Sequence, residues 1–370
     1  MSKETAFHPR LAALTDEWMD LFGYLAPTVV TDTGEEYRAV RETAGLMDFT
    51  MLRKVDLDGP GALDLVNTVV ARDVSTLRPG RIAYGPLVDE DGKMVDDCTV
   101  MMRGPDHVRF CGANDRDFDI FGAQAEGTGV EVREFTDEMP HVCVQGPRSR
   151  ELLQTVADRD LSGEAFPYYT FREDVSIAGI PVFMTRLGYT AELGYELWVD
   201  RGRALELWDA LVEAGTPVGM RVIGMAALDL FRIEGGFIIG GIEYDPTVSP
   251  YECGLGWAVS LDKPTVRGRA GLERDREGTT LRLTSVVLEG GGDAASGAKL
   301  SAGGADVGFV TQAVVSPYLG DRTLGLAKVE KELAGSPGTR VTARVDGDDV
   351  PGEIVEHPVY EKERQRAKKS

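Results

Sequence analysis

The chain has 370 residues, 42% hydrophobic and 27% charged, which is ordinary for a folded globular protein of two or three domains. Its net charge of −21 argues against a nucleic-acid partner, because phosphate recognition relies on lysine and arginine. No apolar run approaches the ~18 residues of a membrane span, and MSKETAFHPR at the start lacks the apolar segment of a signal peptide. We therefore expect a cytoplasmic protein that binds neither nucleic acid nor a membrane.

The first part of the chain predicts a short α+β domain preceded by helices. Residues 16–23 (DEWMDLFG) predict a helix that ends at Gly23, and residues 35–49 begin as a helix that stops at Gly45. A strand at 53–59 and a helix at 61–71 follow. Three strands come next, and the DEDG turn at 89–92 predicts a hairpin between the first two; the strands are 81–92, 93–104 and 107–114.

The second part of the sequence predicts alternating strands and helices, and its composition then changes near residue 261. The predicted strands and hairpin are 141–147, 175–189 and 192–199, and the predicted helices are 149–157, 203–215 and 224–236. Residues 261–278 are polar and rich in helix breakers, which predicts a linker. From Leu281, short alternating strands between glycine-rich turns predict an antiparallel barrel or sandwich. The basic end KERQRAKKS (362–370) predicts a solvated tail.

Motifs for nucleotide and metal chemistry are missing. The sequence has no GxGxxG after a strand, no GxxxxGK[ST], no HExxH and no GxSxG. Its four cysteines form no CxxC pair, and its four histidines are scattered without ligand spacing. We expect reduced cysteines and no metal site.

Polar residues inside apolar strands are the candidates for chemistry. Asp96 and Asp97 are adjacent in MVDDCTV, and Glu196 lies in YELWV. Neighbours in a strand face opposite sides, so one of the two aspartates must point into a core or a cleft. A carboxylate with little water needs hydrogen-bond donors and its pKa is shifted. From these residues alone, a structural role and a ligand-binding role both remain open.

Two tyrosines and one arginine extend this set. Tyr84 in RIAYGPL and Tyr189 in LGYTAELGYE suggest an aromatic pocket for a polar or cationic ligand. Arg232 follows an apolar helical stretch, so it is expected to be partly buried. An ion pair with Asp229 or Glu234 is its structural alternative.

The order of several segments along nearly the whole chain resembles the aminomethyltransferase family, whose best-known member is the T-protein of the glycine cleavage system. The segments are EYRAVRETAGLMDFT (36–50), VDLDGPGA (55–62), ARDVSTLRPGRIAYGPLVDEDGKMVDD (71–97), CVQGPRS (143–149), RLGYTAELGYELWV (186–199), RIEGG (232–236), TVSPYECGLGWAV (247–259) and SPYLGDRTLGLAKV (316–329).

This resemblance implies an α+β fold, a three-domain cloverleaf of the T-protein type that encloses tetrahydrofolate in a central channel. The expected units are a discontinuous folate-channel domain (1–54 plus 141–262), a small α+β domain (55–140) and a C-terminal antiparallel β-barrel domain (280–362). The family moves one-carbon units between a small amine, methoxy or sulfonium donor and N5 of tetrahydrofolate.

The resemblance also implies roles for individual residues. The first Asp of the family's DD pair matches Asp96, which is expected to be catalytic beside N5. Glu196 is expected to hold the pterin, with Tyr84 and Tyr189 lining the site and Arg232 as a further folate-binding residue. Asp97 is left with a structural role at a loop or domain contact.

Three departures distinguish the chain from T-proteins. Leu228 stands where the family has a folate-contacting Arg, Gly112 where it has a hydrogen-bonding Asn, and FTMLRK (49–54) where a His-containing segment is usual. These departures favour a demethylase-like paralogue with a small-molecule C1 donor. The alternatives are a true T-protein, which would use a lipoyl carrier protein, and a non-catalytic folate-binding protein.

Overall fold

The computed structural model describes residues 2–368 and contains mixed helix and sheet. Its α-helices, in chain order, are α1 (His8–Leu11), α2 (Thr33–Glu42), α3 (Ala62–Val69), α4 (Arg116–Ala125), α5 (Ser149–Gln154), α6 (Ala204–Gly215), α7 (Met225–Gly235), α8 (Arg269–Gly278), α9 (Lys331–Ala334) and α10 (Gln365–Lys368).

The strands outnumber the helices and divide into one hairpin, two sheets and a barrel. They are β1 (Trp18–Leu21), β2 (Tyr24–Pro27), β3 (Gly45–Asp48), β4 (Arg53–Asp58), β5 (Ile82–Val88), β6 (Met94–Gly104), β7 (His107–Gly112), β8 (Glu131–Glu134), β9 (His141–Gln145), β10 (Phe171–Ile177), β11 (Ile180–Thr185), β12 (Gly194–Trp198), β13 (Arg221–Val222), β14 (Leu281–Leu288), β15 (Lys299–Ala302), β16 (Ala305–Ser316), β17 (Arg322–Glu330), β18 (Arg340–Val345) and β19 (Asp348–Val355).

A six-stranded sheet in the order β10-β11-β12-β9-β3-β13 forms the first unit. One face packs against α6 through Leu207, Trp208 and Leu211, which are almost fully buried. This helix buries a single apolar stripe, as expected for a surface helix. The opposite face, which carries the side chains of Cys143 and Glu196, is turned toward the second sheet.

The second unit is a five-stranded sheet in the order β5-β6-β7-β4-β8, covered by α3 and α4. The predicted hairpin between β5 and β6 is confirmed, with Tyr84 opposite Thr99 and Pro86 opposite Asp97. A bulge between Leu87 and Val88 shifts the pairing near the turn.

The C-terminal strands close into an antiparallel barrel in the order β14-β17-β16-β15-β18-β19, and pairing of β14 with β19 completes it. Closure removes the unpaired edges that an open sheet would expose. Helices α2 and α7 pack beside the barrel, and one apolar core joins them to barrel residues such as Leu324 and Leu326. The expected fold class, a three-unit α+β cloverleaf with a C-terminal barrel, is confirmed.

The domain limits predicted from the sequence stay a prediction. Strand β4 starts at Arg53 and pairs with β7, so the second sheet begins just before residue 55. No helix among residues 2–368 combines the length and the apolar character needed to cross a membrane.

Residues 16–23 form a hairpin and not the predicted helix. Strands β1 and β2 pair in register from Trp18 opposite Pro27 to Leu21 opposite Tyr24. The two connecting residues, Phe22 and Gly23, have φ of 51° and 82°. A two-residue turn with positive φ at both positions suits the right-handed twist of a hairpin. Gly23 therefore serves this turn and does not end a helix.

The predicted linker at 261–278 contains α8, which docks on the turn of the β5–β6 hairpin. Leu272 is fully buried there, and the Lys93 ammonium lies 2.6 Å from the Asp275 carboxylate. Gly271 allows close approach, because a Cβ at this position would overlap the carbonyl oxygen of Asp91. This contact, which no local pattern reveals, makes a polar segment helical.

We predict that Gly271→Ala destabilises the fold, because the added methyl group must push α8 away from the hairpin turn. The expected loss in the free energy of unfolding is about 1–3 kcal/mol, the usual range for overpacking. Gly278→Ala in the same helix is the matched control, since its Cβ would meet nothing within 4 Å. Urea denaturation of both variants measures the difference, and equal stability of the two would show that the close contact is not needed.

Candidate functional site

A cavity of about 780 Å³ lies where the three units meet. It takes Tyr84 from the second sheet, Leu283 from the barrel and Phe237 from the segment after α7. Aromatic side chains form much of its lining: Tyr84, Tyr168, Tyr169, Phe237 and Trp257. We call this space the aromatic cavity. Its size and mixed apolar and polar walls suit a ligand with flat rings.

Four cations line the same cavity, in a chain whose net charge is −21: Arg72, Arg81, Arg364 and Lys368. Arg364 lies over the ring of Phe237 at 4.4 Å, and its Nη2 donates to the carbonyl of Gly235 at 2.6 Å. Its Nη1 is buried and has no hydrogen-bond partner among residues 2–368. This grouping favours an anionic part on the ligand.

The end of the chain is therefore not only a solvated tail. Residues 365–368 form α10, and Arg366 lies 3.2 Å from the buried carboxylate of Glu192. Arg364 and Lys368 line the aromatic cavity. The predicted solvated tail holds for the exposed residues of 362–368, but Arg364 is half-buried and Ala367 is buried. Residues 369–370 lie outside the described part of the chain.

Asp97 is the acid that reaches toward the aromatic cavity. The hydroxyl of Tyr84 donates to Oδ2 of Asp97 at 2.9 Å, and Tyr84 itself lines the cavity. The hydroxyl of Tyr244 lies 2.6 Å from Oδ1 of Asp97 and 3.0 Å from Oδ1 of Asp96. Asp97 is partly exposed, as its strand neighbour on the same face, Thr99, also is.

A phenol has one proton and can donate to only one of these two carboxyl groups. Burial and the charge of Asp96 raise the pKa of Asp97 to about 7. Burial, followed by the charge of Asp97, raises the pKa of Tyr84 well above its ordinary value, so Tyr84 stays a donor. Asp97 is consequently poised to hold or release a proton near neutral pH.

Asp96, the predicted catalytic residue, points into the second unit. Its side chain is 1% exposed. Its Oδ2 accepts the backbone N–H groups of Ala113 and Asn114 at 2.5 and 3.1 Å, and Oδ1 accepts that of Asp97 at 2.9 Å. These bonds tie the end of β7 to β6. The catalytic role of Asp96 stays a prediction. Neither aspartate is among the lining residues of the cavity, but Asp97 accepts a hydrogen bond from one of them, Tyr84.

The unusual Gly112 has a clear local reason. A Cβ there would overlap the Asp96 carboxylate and lie 2.5 Å from Oδ2 of Asp117. Asp117 is fully buried, and burial together with the Asp96 charge raises the pKa of Asp117 well above its ordinary value. Two carboxylates in one buried space repel each other, so a proton on one of the two carboxyl groups is favoured. Two carboxyl groups occupy the space that a side chain at residue 112 would take.

Tyr189 borders the aromatic cavity. Its ring contacts the ring of Phe237 at 4.9 Å, and its hydroxyl donates to the carbonyl of Ile238. Phe237 and Ile238 both line the cavity. Burial raises the pKa of Tyr189, and the nearby charge of Asp97 adds to this. Tyr84 and Tyr189 are therefore brought to one region, as their predicted shared role requires.

Glu196 lies on the six-stranded sheet, 7% exposed and facing the second unit. Thr185 Oγ1 donates to its Oε2 at 3.0 Å. Burial raises the pKa of Glu196 to about 7, although the Thr185 hydrogen bond opposes the shift. Its predicted role in holding a pterin stays a prediction.

Arg232 is 1% exposed and already saturated by protein groups. Its guanidinium bonds to Asp229 at 2.7 Å, Glu243 at 3.0 Å and the side chain of Gln312. The ion pair with Asp229 is the structural alternative that the sequence left open, whereas Glu234 bonds to Tyr37 and Arg41. Arg232 thus connects α7 to the barrel, and its folate-binding role stays a prediction.

The fold and this site define a class: a three-unit α+β protein with a closed C-terminal barrel and a central aromatic cavity. A pair of acids, Asp96 and Asp97, lies next to Tyr84 of this cavity. A sequence model of the GCVT N-terminal domain matches residues 7–263. A model of the glycine cleavage T-protein C-terminal barrel domain matches residues 282–361. The chain therefore belongs to the aminomethyltransferase family, and the resemblance drawn from its segments is confirmed.

Similar proteins include an aminomethyltransferase of Halothermothrix orenii, 32% identical over 92% of this chain and 95% of that protein. A trimethylamine-oxide aldolase of Ruegeria pomeroyi is 33% identical over 99% of this chain, which spans 48% of that longer protein. The glycine cleavage system aminomethyltransferase T of Bartonella henselae has the same fold, with a TM-score of 0.87 at 22% identity over 98% of this chain and 99% of its own.

The raised pKa of Asp97 predicts a pH dependence of stability. Between its ordinary value of 3.8 and about pH 7, the folded chain holds a proton that the unfolded chain has released. Unfolding releases that proton, so the free energy of unfolding falls as the pH rises through this window. Asp97→Asn should make the free energy of unfolding fall less steeply with pH, by an amount that corresponds to the release of up to about one proton.

Denaturation midpoints measured at several pH values test this expectation. The exposed strand residue Asp306 provides the matched control, and Asp306→Asn should keep the wild-type slope. A slope that Asp97→Asn leaves unchanged would mean that Asp97 is ionised throughout the window.

Proposed function

We propose that the chain is a tetrahydrofolate-dependent transferase that moves a one-carbon unit from a small methylated donor to N5 of tetrahydrofolate. The observation that carries the proposal is the hydrogen bond from Tyr84, a lining residue of the aromatic cavity, to the Asp97 carboxyl group, which Tyr244 also contacts. It provides a proton-holding group beside a space suited to a flat ring.

The lining of the cavity fits the parts of tetrahydrofolate. Aromatic side chains such as Tyr84 and Trp257 suit a pterin and a benzoyl ring. The cations suit the glutamate carboxylates, and the buried, unpartnered Nη1 of Arg364 is a free donor for one of them. We propose that Tyr189 lines the pterin end and that Glu196 accepts from the pterin, as the family resemblance implies.

When bound, tetrahydrofolate supplies the N5 nucleophile: an N5–C bond forms, the donor's C–N, C–O or C–S bond breaks, and the N5 proton leaves. Asp97 is suited to take this proton, because its pKa is raised to about 7. Its charge would also stabilise positive charge on the donor. Tyr84 orients the carboxyl group by donating to Oδ2.

Asp96 would act differently from its neighbour. Its oxygens are bound by backbone N–H groups, and its carboxylate lies against Asp117. It would position β6 and set the charge next to Asp97. The earlier expectation that Asp96 itself is catalytic and this assignment to Asp97 make opposite predictions for single variants.

A methylated amine is the donor class that we favour. The trimethylamine-oxide aldolase among the relatives is named for a methylated amine derivative. Leu228, where T-proteins have a folate-contacting Arg, packs in the apolar core and offers no charge. These two observations support the demethylase-like reading. A true T-protein using a lipoyl carrier is the second candidate, supported by the relatives that carry the name aminomethyltransferase.

A screen of C1 donors tests the proposal directly. The full chain with tetrahydrofolate is offered methylated amines, methoxyaromatics, dimethylsulfonium compounds or an aminomethyl-loaded lipoyl carrier protein. We expect a one-carbon-substituted tetrahydrofolate, detected by mass spectrometry, with a methylated amine. Product formed only with the carrier would identify a T-protein. Tight folate binding without product from any donor would leave a non-catalytic folate-binding protein.

Paired variants separate the two acids. With the active donor, Asp97→Asn should lower kcat by about 10²–10⁴-fold, the usual contribution of a general base, with tetrahydrofolate affinity nearly unchanged. Asp96→Asn should instead lower the free energy of unfolding by about 1–3 kcal/mol, because an amide cannot accept all three backbone N–H groups.

Steady-state kinetics, fluorescence titration with tetrahydrofolate and urea denaturation supply the three readouts. Asp306→Asn again serves as the exposed control. A stable Asp96→Asn variant that loses kcat, beside an active Asp97→Asn variant, would restore the catalytic role to Asp96.

A further inference from the structure

Three potential metal ligands meet in the interior on the six-stranded sheet. His141 and Cys143 lie on one face of β9, and the pairing of β9 with β12 places Glu196 opposite Cys143. One ligating atom from each of the three side chains lies within 4.8 Å of the others. All three residues are buried, with exposures of 0%, 1% and 7%.

His141 lacks the partners that a buried imidazole needs. Both of its ring nitrogens are buried, and neither has a hydrogen-bond partner among residues 2–368. Its surroundings are the rings of Trp198 at 5.1 Å and Phe49 at 6.2 Å. An unsatisfied buried polar group costs about 1–3 kcal/mol, and in native proteins such a group is explained by strain, by a redox or catalytic role, or by a bound water or ion. Here the unpartnered nitrogens lie beside a thiol and a carboxyl group.

We propose that His141, Cys143 and Glu196 bind one divalent cation of the zinc class. Imidazole nitrogen, thiolate sulfur and carboxylate oxygen are the donors that Zn²⁺ and Co²⁺ accept together. Three protein ligands leave a fourth position open, as in catalytic zinc sites. A bound cation gives the unpartnered imidazole a partner, which one of its ring nitrogens coordinates.

The charges at the cluster balance. Binding releases the protons of the Cys143 thiol and the Glu196 carboxyl group to solvent. A divalent cation with one thiolate, one carboxylate and one neutral imidazole is then neutral, which lowers the penalty of burial in apolar surroundings. Lys54 is a nearby buried cation, and its charge acts on both His141 and Glu196. Its ammonium donates to the carbonyls of Thr50 at 3.0 Å and Leu52 at 2.9 Å, so these oxygens hold it.

In this proposal Glu196 binds the cation in addition to the pterin proposed above. The metal inference does not rest on the folate proposal, because the cluster and its unpartnered imidazole are independent of any C1 donor. A titration with metal alone, without folate, keeps the two proposals separate.

The test is a Co²⁺ titration of the full chain after treatment with a chelator. We expect one Co²⁺ per chain, visible d–d bands of a tetrahedral site and a sulfur-to-cobalt charge-transfer band, with Zn²⁺ displacing Co²⁺. His141→Ala should weaken binding by more than about 100-fold, since loss of even an outer-sphere partner costs about 10- to 100-fold. Cys143→Ser should lose the charge-transfer band.

Cys253→Ser is the matched control, because Cys253 is equally buried and its thiol bonds to the carbonyl of Pro250 away from the cluster. Thermal unfolding of each variant establishes that it folds, and Zn²⁺ should raise the Tm of the wild type but not that of His141→Ala. Absence of stoichiometric Co²⁺ binding by the wild type, or a charge-transfer band that survives in Cys143→Ser and vanishes in Cys253→Ser, would overturn the proposal.

Discussion

The buried carboxylate of Asp96 is the constraint on which the site depends. It accepts three backbone N–H groups, two from the residues after β7 and one from Asp97. With Asp96 fixed on the inner face of β6, the alternation of the strand turns Asp97 toward Tyr84 and the aromatic cavity. Gly112 and the buried Asp117 complete this arrangement, because a side chain at residue 112 would displace both carboxyl groups. A stabilising interaction on one face of the strand therefore positions chemistry on the other.

The cavity is lined by several cations, although the chain as a whole is acidic. With a net charge of −21, the surface repels anions at long range. Inside the cavity, however, cations such as Arg364 and Lys368 lie among the lining residues, and the acid Asp97 lies at the side marked by Tyr84. The cations and the acid are not at opposite ends, because Arg72 Nη1 donates to the backbone carbonyl of Tyr84 at 2.7 Å. The cavity therefore offers fixed positive charge to an anionic ligand in a chain that is acidic overall.

Much of this architecture can be predicted from the sequence. Counting outward from the DEDG turn, with Asp89 opposite Gly92, places Tyr84 opposite Asp97, and residues opposite each other share a face. The observed register begins one residue further on, with Val88 opposite Met94, and the bulge adds one more residue. Tyr84 therefore lies opposite Thr99, and because the total shift is two residues the face is preserved. The sequence thus held the information that Asp97 belongs with Tyr84, although the family resemblance pointed to Asp96. By contrast, the docking of Gly271 on the hairpin turn and the return of Arg364 to the cavity are tertiary contacts that no local pattern contains.

The difference between local sequence patterns and tertiary contacts also explains why the histidine and cysteine residues are not predicted to bind a metal. A search for metal ligands that expects CxxC or HExxH spacing overlooks His141 and Cys143, which are two residues apart and therefore on one face of a strand. Their third partner, Glu196, comes from β12, and only the order of the sheet brings it alongside. An apolar residue at position 141 would avoid the penalty of two unpartnered nitrogens in the core. An imidazole at this place is best explained by something that binds it, and the thiol and the carboxyl group beside it make a cation the most economical choice.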